Sequence, residues 1–230
     1  MSPQQMRAWI RSKLDPIESW DPNNRIVQQD IEVHPGPLSP AAVLVPLVEH
    51  EDGVTVLLTR RADTLRSHTG QVAFPGGRCE AGELPWETAL REAQEEIGLD
   101  PGHVTIAGLS SGYQTRTGFD ITPVVGFVRP GFHLSPSPDE VAEVFEAPFA
   151  FLMNPTNHER RFLEQADGLR RYFYSMSHED QVIWGVTAGM LRALYERLYG
   201  ALPPDAEATP FKMPGQRPVP GLSTADHDSR

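Results

Sequence analysis

Cysteine is nearly missing from this 230-residue chain: Cys79 stands alone, which excludes an internal disulfide and a zinc site built from several thiolates. Long apolar runs are missing too. No stretch of 18 apolar residues occurs, and the opening Met1-Ser2-Pro3-Gln4-Gln5-Met6-Arg7 lacks the apolar core of a secretory leader. The expectation is a cytoplasmic protein with no membrane partner. Positive charge is scarce, with 20 Lys and Arg against 31 Asp and Glu, a formal net charge of −11. So acidic a chain cannot coat nucleic acid, because neutralising phosphates demands a basic face, and no nucleic-acid partner is expected. A phosphorylated ligand must then find positive charge concentrated at one place.

What the sequence does hold is concentrated between Gly77 and Leu99. Pro85 suits the first turn of a helix, where its missing N–H costs nothing, and Gly98 suits the left-handed residue just past the end. The spacing predicts a helix over 85–97. At about 100° per residue, Trp86, Ala89, Leu90, Ala93 and Ile97 form its core stripe, and Glu92, Glu95 and Glu96 project together beside that stripe. Like charges at these spacings repel, and the dipole disfavours anions near a helix C-terminus. Something positive should offset them. A cation held by oxygen ligands, such as magnesium or manganese with water and substrate phosphates, meets that need; a solvated acidic face is the plain alternative.

Phe74-Pro75-Gly76-Gly77 ends a β-rich run ahead of this helix, and Gly76, Gly77 and Gly82 let backbone approach a ligand closely. Glu83 and Arg91 either brace the loop against the helix or form an ordinary surface salt bridge. Gly77, five residues, Glu83, seven residues, and then Arg91-Glu92-Ala93-Gln94-Glu95-Glu96-Ile97-Gly98-Leu99 together resemble the complete signature of the Nudix hydrolases. The resemblance implies a Nudix fold, an α/β/α sandwich around a mixed sheet, where pattern alone gives only α/β. It further implies hydrolysis of a nucleoside diphosphate linked to another group, with Glu92, Glu95 and Glu96 holding Mg2+ or Mn2+ and Glu83, Arg91 and Gly98 supporting the motif.

A second signature precedes the first. Leu57-Leu58-Thr59-Arg60-Arg61-Ala62-Asp63-Thr64-Leu65-Arg66-Ser67-His68-Thr69-Gly70-Gln71-Val72-Ala73-Phe74-Pro75-Gly76-Gly77 is similar to the pattern of the coenzyme A pyrophosphatase branch. That likeness implies coenzyme A or a derivative as the small-molecule substrate, cut to 3′,5′-ADP and 4′-phosphopantetheine. ADP-ribose or a dinucleotide, and a non-enzymatic nucleotide-binding module, are the rival readings. Arg60, Arg61 and Arg66 can supply the missing positive charge, since guanidinium groups grip phosphate oxygens in pairs; otherwise they are surface arginines at a strand end. Gly76 and Gly77 join them as substrate-binding candidates. His68 reads as a local hydrogen-bonding group, and Cys79 as a spectator at a free position of the motif.

Nudix proteins often take a further carboxylate from a loop after the helix. Ser135-Pro136-Ser137-Pro138-Asp139-Glu140 is stiffened by two prolines, and Glu140 is the candidate there, against a solvated acidic surface. Glu95, Glu96 or Glu140 would take the proton from the attacking water, because a glutamate of ordinary pKa is ionised at neutral pH.

Elsewhere the patterns give scaffold. Met6, Trp9, Ile10 and Leu14 predict an amphipathic helix within residues 1–20, and breakers at 21–24 and 34–40 predict a surface loop between them. Ala41–Val48 and Val54–Thr59 predict a hairpin, Val104–Leu109 and Ile121–Val128 two strands, 160–163 and 172–175 a second hairpin, and 182–199 a long helix. The polar loop 110–120 carries Tyr113, Arg116 and Phe119, which meet an adenine ring or phosphate or simply pack the loop. From Leu202 large apolar residues become rare, so a flexible tail is expected. The organisation predicted is an N-terminal helix and surface loop (1–36), one catalytic domain (37–201) and the tail (202–230); a homodimer is left open.

Overall fold

The computed structural model describes residues 2–29, 34–62, 70–165, 168–201 and 207–212. In chain order the elements are α1 (Pro3–Arg11), β1 (Val27–Gln29), β2 (Ser39–His50), β3 (Gly53–Arg61), β4 (Val72–Ala73), β5 (Gly76–Arg78), α2 (Pro85–Ile97), β6 (Val104–Leu109), β7 (Gly112–Gln114) and β8 (Phe119–Val128). They continue with β9 (Val141–Pro148), α3 (Phe149–Leu152), β10 (Glu159–Glu164), β11 (Arg170–His178), β12 (Gln181–Trp184), α4 (Val186–Tyr199) and β13 (Thr209–Pro210).

Among the described residues nine strands make one mixed sheet along the path β1-β7-β8-β2-β3-β4, with β5 on β2, β6 on β8 and β9 on β3. Strands β2 and β8 run parallel from Ser39 beside Phe119 to Val48 beside Val128, and β2 and β3 form the expected antiparallel hairpin. Side chains alternate along these strands, and that alternation divides the core. Val43, Val45 and Leu47, with Val56, Leu58, Val125 and Phe127, join a cluster that includes residues of α1, α3, α4, β11 and β12. Ala42, Leu44, Val48, Leu57, Val124 and Val128 instead meet Ala89, Ala93 and Ile97 of α2. Helices therefore cover both faces of a mixed sheet, which is the α/β/α sandwich expected. No helix among the described residues is long and apolar enough to cross a membrane.

Helix α2 has the bounds read from the sequence. Pro85 stands at its start, Gly98 takes φ 70° at its end, and Trp86 and Leu90 lie half-buried beside the stripe. The exposed carbonyls at its C-terminus find partners in the following loop: Ser135 N–H donates to Ile97 O (2.8 Å) and Ser137 N–H to Glu96 O (2.8 Å). A helix end must be satisfied in some such way.

Several expectations are corrected. Helix α1 stops at Arg11, short of Leu14, and Asp15, held extended ahead of Pro16, bridges Leu109. The predicted surface loop contains β1, and the loop 110–120 contains β7; β1 and β7 pair in parallel, so both short strands are made by tertiary contact. The long helix begins at Val186, not 182: Gly185 takes φ 66°, and Gln181–Trp184 is a strand against β11. The second hairpin holds, as β10 and β11. Within the expected flexible tail, residues 209–210 lie along β10, and the Phe211 ring packs 5.0 Å from Phe173 and 5.3 Å from Trp184.

Gly98→Ala should destabilise the protein by about 1–2 kcal/mol, since a left-handed residue with a side chain is strained and its Cβ would fall 2.9 Å from Ser135 N. Thermal melting should register a loss of a few degrees; an unchanged midpoint would refute this account of the helix end.

Candidate active site

Glu96 is the most deeply set of the helix carboxylates, at 7% exposure. Its Oε2 accepts the Gly76 N–H at 3.1 Å. Burial is the main reason its pKa is pushed up to about 7; the Gly76 hydrogen bond and Arg61 work the other way, and the charges of Glu92 and Glu140 add to the rise. Glu92 is also raised, again chiefly by desolvation, with Glu95 and Glu140 contributing and Arg91 opposing. Gly77 backs Glu92 so closely that a Cβ there would fall 2.5 Å from its carboxylate carbon. Gly77, expected to admit a ligand, therefore admits Glu92, whereas the room left at Gly76 is towards Ala42 O and Val43 of β2.

Glu140 reaches the same place from another element. Its backbone N–H and that of Val141 both donate to Ser137 O (3.1 and 2.8 Å), Ser137 is tied to the end of α2, and Ala62 N–H donates to Glu140 O at 2.9 Å. The loop is thus pinned between α2 and the end of β3, and Glu140 acts electrostatically on Glu92 and Glu96. Arg61 stands at the end of β3, close enough to act on Glu96, and its buried Nε has no hydrogen-bond partner among the described residues. Arg60 Nε contacts Glu143 Oε2 at 3.3 Å, and Gln181 Nε2 donates to the same oxygen at 3.1 Å. Arg66 and His68 lie outside the described residues.

Arg91 supplies part of the positive charge that the helix requires. Its Nε and Nη2 donate to the two oxygens of Glu83 at 2.9 and 3.0 Å, its Nη2 also to Arg78 O at 3.2 Å, and its Nη1 to Glu92 and Glu95 at 2.9 and 3.0 Å. This is the brace, not an isolated surface pair: the guanidinium holds Glu83 down at about 2, aided by the Glu80 N–H and the Thr88 hydroxyl. Glu95 is the outlying acid, with a side chain 60% exposed. Burial raises the Cys79 thiol, which suits the spectator role. The Arg78 guanidinium lies 5.1 Å from the Phe119 ring centroid, and Tyr113 is buried against Gly189 of α4.

A Nudix domain model matches residues 38–167, a span that contains the glycine loop, α2 and Glu140. The chain belongs to the Nudix family. It is 41% identical over 155 residues to a protein of Pectobacterium atrosepticum named as an uncharacterized Nudix hydrolase, NudL, covering 67% of this chain and 80% of that one. The namesake in Cronobacter sakazakii is 42% identical over 156 residues, with the same shares covered. A solved Nudix hydrolase from Nitrosomonas europaea superposes with a TM-score of 0.47 at 18% identity, over 77% of this chain and 81% of that one. The chain is a hydrolase of this family.

Nudix hydrolases use divalent metal ions, and the donor set here suits one. It is all oxygen, partly desolvated, and cradled where a Cβ at residue 77 would intrude. No three acidic, histidine or cysteine groups among the described residues are already gathered as a cage, and Arg91 engages Glu92 and Glu95. That arrangement fits an ion that keeps several waters and takes ligands from substrate phosphates.

Glu96 and Glu83 give opposite pH signatures. Glu96 holds its proton more tightly when folded, so under chelating conditions stability should fall as pH rises from about 4.5 to about 7, by about 3 kcal/mol for a shift of this size. Glu83 is the reverse: its contribution is complete above about 4.5 and lost as pH falls towards about 2. Denaturant titrations across pH should show Glu96→Gln flattening the first limb and Glu83→Gln the second; slopes unchanged by either variant would refute the assignments.

Proposed function

We propose that the chain hydrolyses the pyrophosphate bond of coenzyme A or its derivatives, releasing 3′,5′-ADP and 4′-phosphopantetheine, or its acyl form. The observation that supports the reaction type is the setting of Glu96 and Glu92 against the Gly76-Gly77 backbone, within electrostatic reach of Glu140 and, for Glu96, of Arg61. Carboxylates so placed repel unless a cation and a phosphorylated guest join them.

Glu92, Glu95 and Glu96 would hold Mg2+ or Mn2+, and Glu95 would have to swing from Arg91 towards the other two. A divalent ion bound there neutralises diphosphate charge and acidifies an attacking water. Glu96 or Glu95 would receive that water's proton: burial raises the proton affinity of Glu96 in the ion-free protein, and a bound cation would lower it and keep the carboxylate ionised. Glu140, from its separate loop, is the alternative base. Arg60 and Arg61 supply guanidinium groups at the strand end before the loop, where a substrate carrying a diphosphate and a further 3′-phosphate needs them. Arg66 is assigned to the same task on the sequence pattern. Glu83, Arg91 and Gly98 hold the loop–helix unit in shape.

With saturating magnesium, Glu96→Gln should lower turnover of coenzyme A a hundred-fold or more, the usual order for loss of an essential base or ligand. Glu87→Gln should leave it nearly unchanged: Glu87 caps the other end of α2, accepting the Leu84 N–H at 2.9 Å, and a glutamine oxygen can still do so. Near-normal turnover in the Glu96 variant would overturn the assignment. Incubation with coenzyme A, dephospho-coenzyme A and ADP-ribose, with products identified by mass, should show coenzyme A cut fastest. Faster cleavage of ADP-ribose would transfer the activity to that class.

A further inference from the structure

The end of β3 carries its two arginines towards opposite faces of the sheet. Side chains alternate along a strand: Leu57 packs against α2, and Leu58 against the layer that holds α4 and β12. Arg61 keeps the side of Leu57, where it acts on Glu96, and Arg60 keeps the side of Leu58. Strand β9 follows the same division. Its pairing with β3 passes from Glu143 beside Arg60 to Val141 beside Arg61 and skips Ala142, so Val141 joins the α2 cluster while Glu143 stays on the face of Arg60. A bulge of this kind re-aims side chains and is common beside active sites.

On that face the segment 181–187 grips the strand ends at two points. Val72, Arg60 and Glu143 form one row across β4, β3 and β9. At one end of the row Thr187 Oγ1 of α4 donates to Val72 O at 2.9 Å; at the other, Gln181 Nε2 of β12 donates to Glu143 Oε2 at 3.1 Å, the oxygen that meets Arg60 Nε at 3.3 Å. A half-exposed ion pair of that length contributes little alone, since solvent screens it and both side chains lose freedom. Gln181 is buried, at 9% exposure, so its carboxamide is the fixed member and Glu143 transmits its position to the guanidinium. Contact through Nε orients the guanidinium plane, and a guanidinium so oriented presents its N–H donors to phosphate oxygens in pairs.

We propose that Gln181 and Glu143 are positioning residues that aim Arg60 at the monoester phosphate of the substrate, while Arg61, on the other face, meets the diphosphate. A substrate with a ribose between its diphosphate and its further phosphate straddles the end of β3, with one phosphate group to each face. The assignment rests on the coenzyme A reading and adds to it two residues, Glu143 and Gln181, that lie outside both sequence signatures.

Kinetics on coenzyme A and on dephospho-coenzyme A, which lacks the monoester phosphate, test the proposal. Gln181→Leu should raise KM for coenzyme A about five-fold at constant kcat, the order of one lost hydrogen bond, with KM for dephospho-coenzyme A as in the parent. Glu143→Ala, at a side chain 44% exposed where truncation leaves no buried gap, should do the same, and Glu143→Gln, which keeps an oxygen for Arg60 Nε, should recover part of the loss. In an Arg60→Ala background Gln181→Leu should change nothing further. KM rising alike for both compounds, an unchanged KM for coenzyme A, or an undiminished effect of Gln181→Leu without Arg60 would overturn the proposal. A parent that cuts neither compound counts against the coenzyme A reading instead, and calorimetric titration of the full chain with 3′,5′-ADP and 5′-AMP then decides the positioning by itself. Tighter binding of 3′,5′-ADP by the parent, lost in Gln181→Leu and Glu143→Ala, supports it; equal binding of the two nucleotides, or a preference that both variants keep, overturns it.

Discussion

A carboxylate taken out of water is costly, and the protein surrounds Glu96 with structure that makes the cost bearable. One hydrogen bond from the Gly76 backbone and the field of Arg61 favour the charged form, yet burial and two neighbouring acids outweigh them. The local architecture follows from that imbalance. Gly76 must bring its N–H to the carboxylate, Gly77 must carry no Cβ so that Glu92 can lie flat against the chain, and α2 must meet the sheet through the small residues Ala89 and Ala93 to come close enough. Carboxylates crowded in this way are relieved by nearby positive charge.

Arg91 tempers the same strain from within the helix. Its guanidinium spans Glu83, Glu92, Glu95 and the Arg78 carbonyl, so the loop and helix behave as one braced unit. Arg91 engages Glu92 and Glu95, whereas Glu96 takes its hydrogen bond from the Gly76 backbone. Glu96, pushed up to about 7 chiefly by burial, therefore dominates the cluster's proton affinity near neutral pH, and Glu95 is the most exposed of the three helix acids.

The sequence revealed those parts of the fold that are encoded locally. Pro85 and Gly98 delimit α2 because each imposes a backbone conformation irrespective of surroundings, and the valine-rich hairpin shows in composition alone. Strands β1, β7 and β12 were not legible: Val27–Gln29 and Gly112–Gln114 are extended because they pair with each other, and Gln181–Trp184 because it pairs with β11, in each case a contact distant in sequence. Gly185 marked the true start of α4, but a glycine in an apolar run is a weak signal until its positive φ is known. The helix glutamates, the Glu83–Arg91 pair and both glycines were readable from fixed spacing. The committed state of the Gly76 N–H was not, since spacing says nothing of which acceptor arrives first.

Glu140 shows how a residue outside the motif is nonetheless brought to it. No spacing rule links it to α2; the link is the need of a helix C-terminus for donors. Ser135 and Ser137 answer the carbonyls of Ile97 and Glu96, Gly98 leaves room for Ser135, and Ala62 donates to Glu140 O. The loop that carries Glu140 is thus closed by backbone hydrogen bonds. Such an arrangement is physically sensible: a loop held by backbone hydrogen bonds keeps its place when the charge of the carboxylate it carries changes.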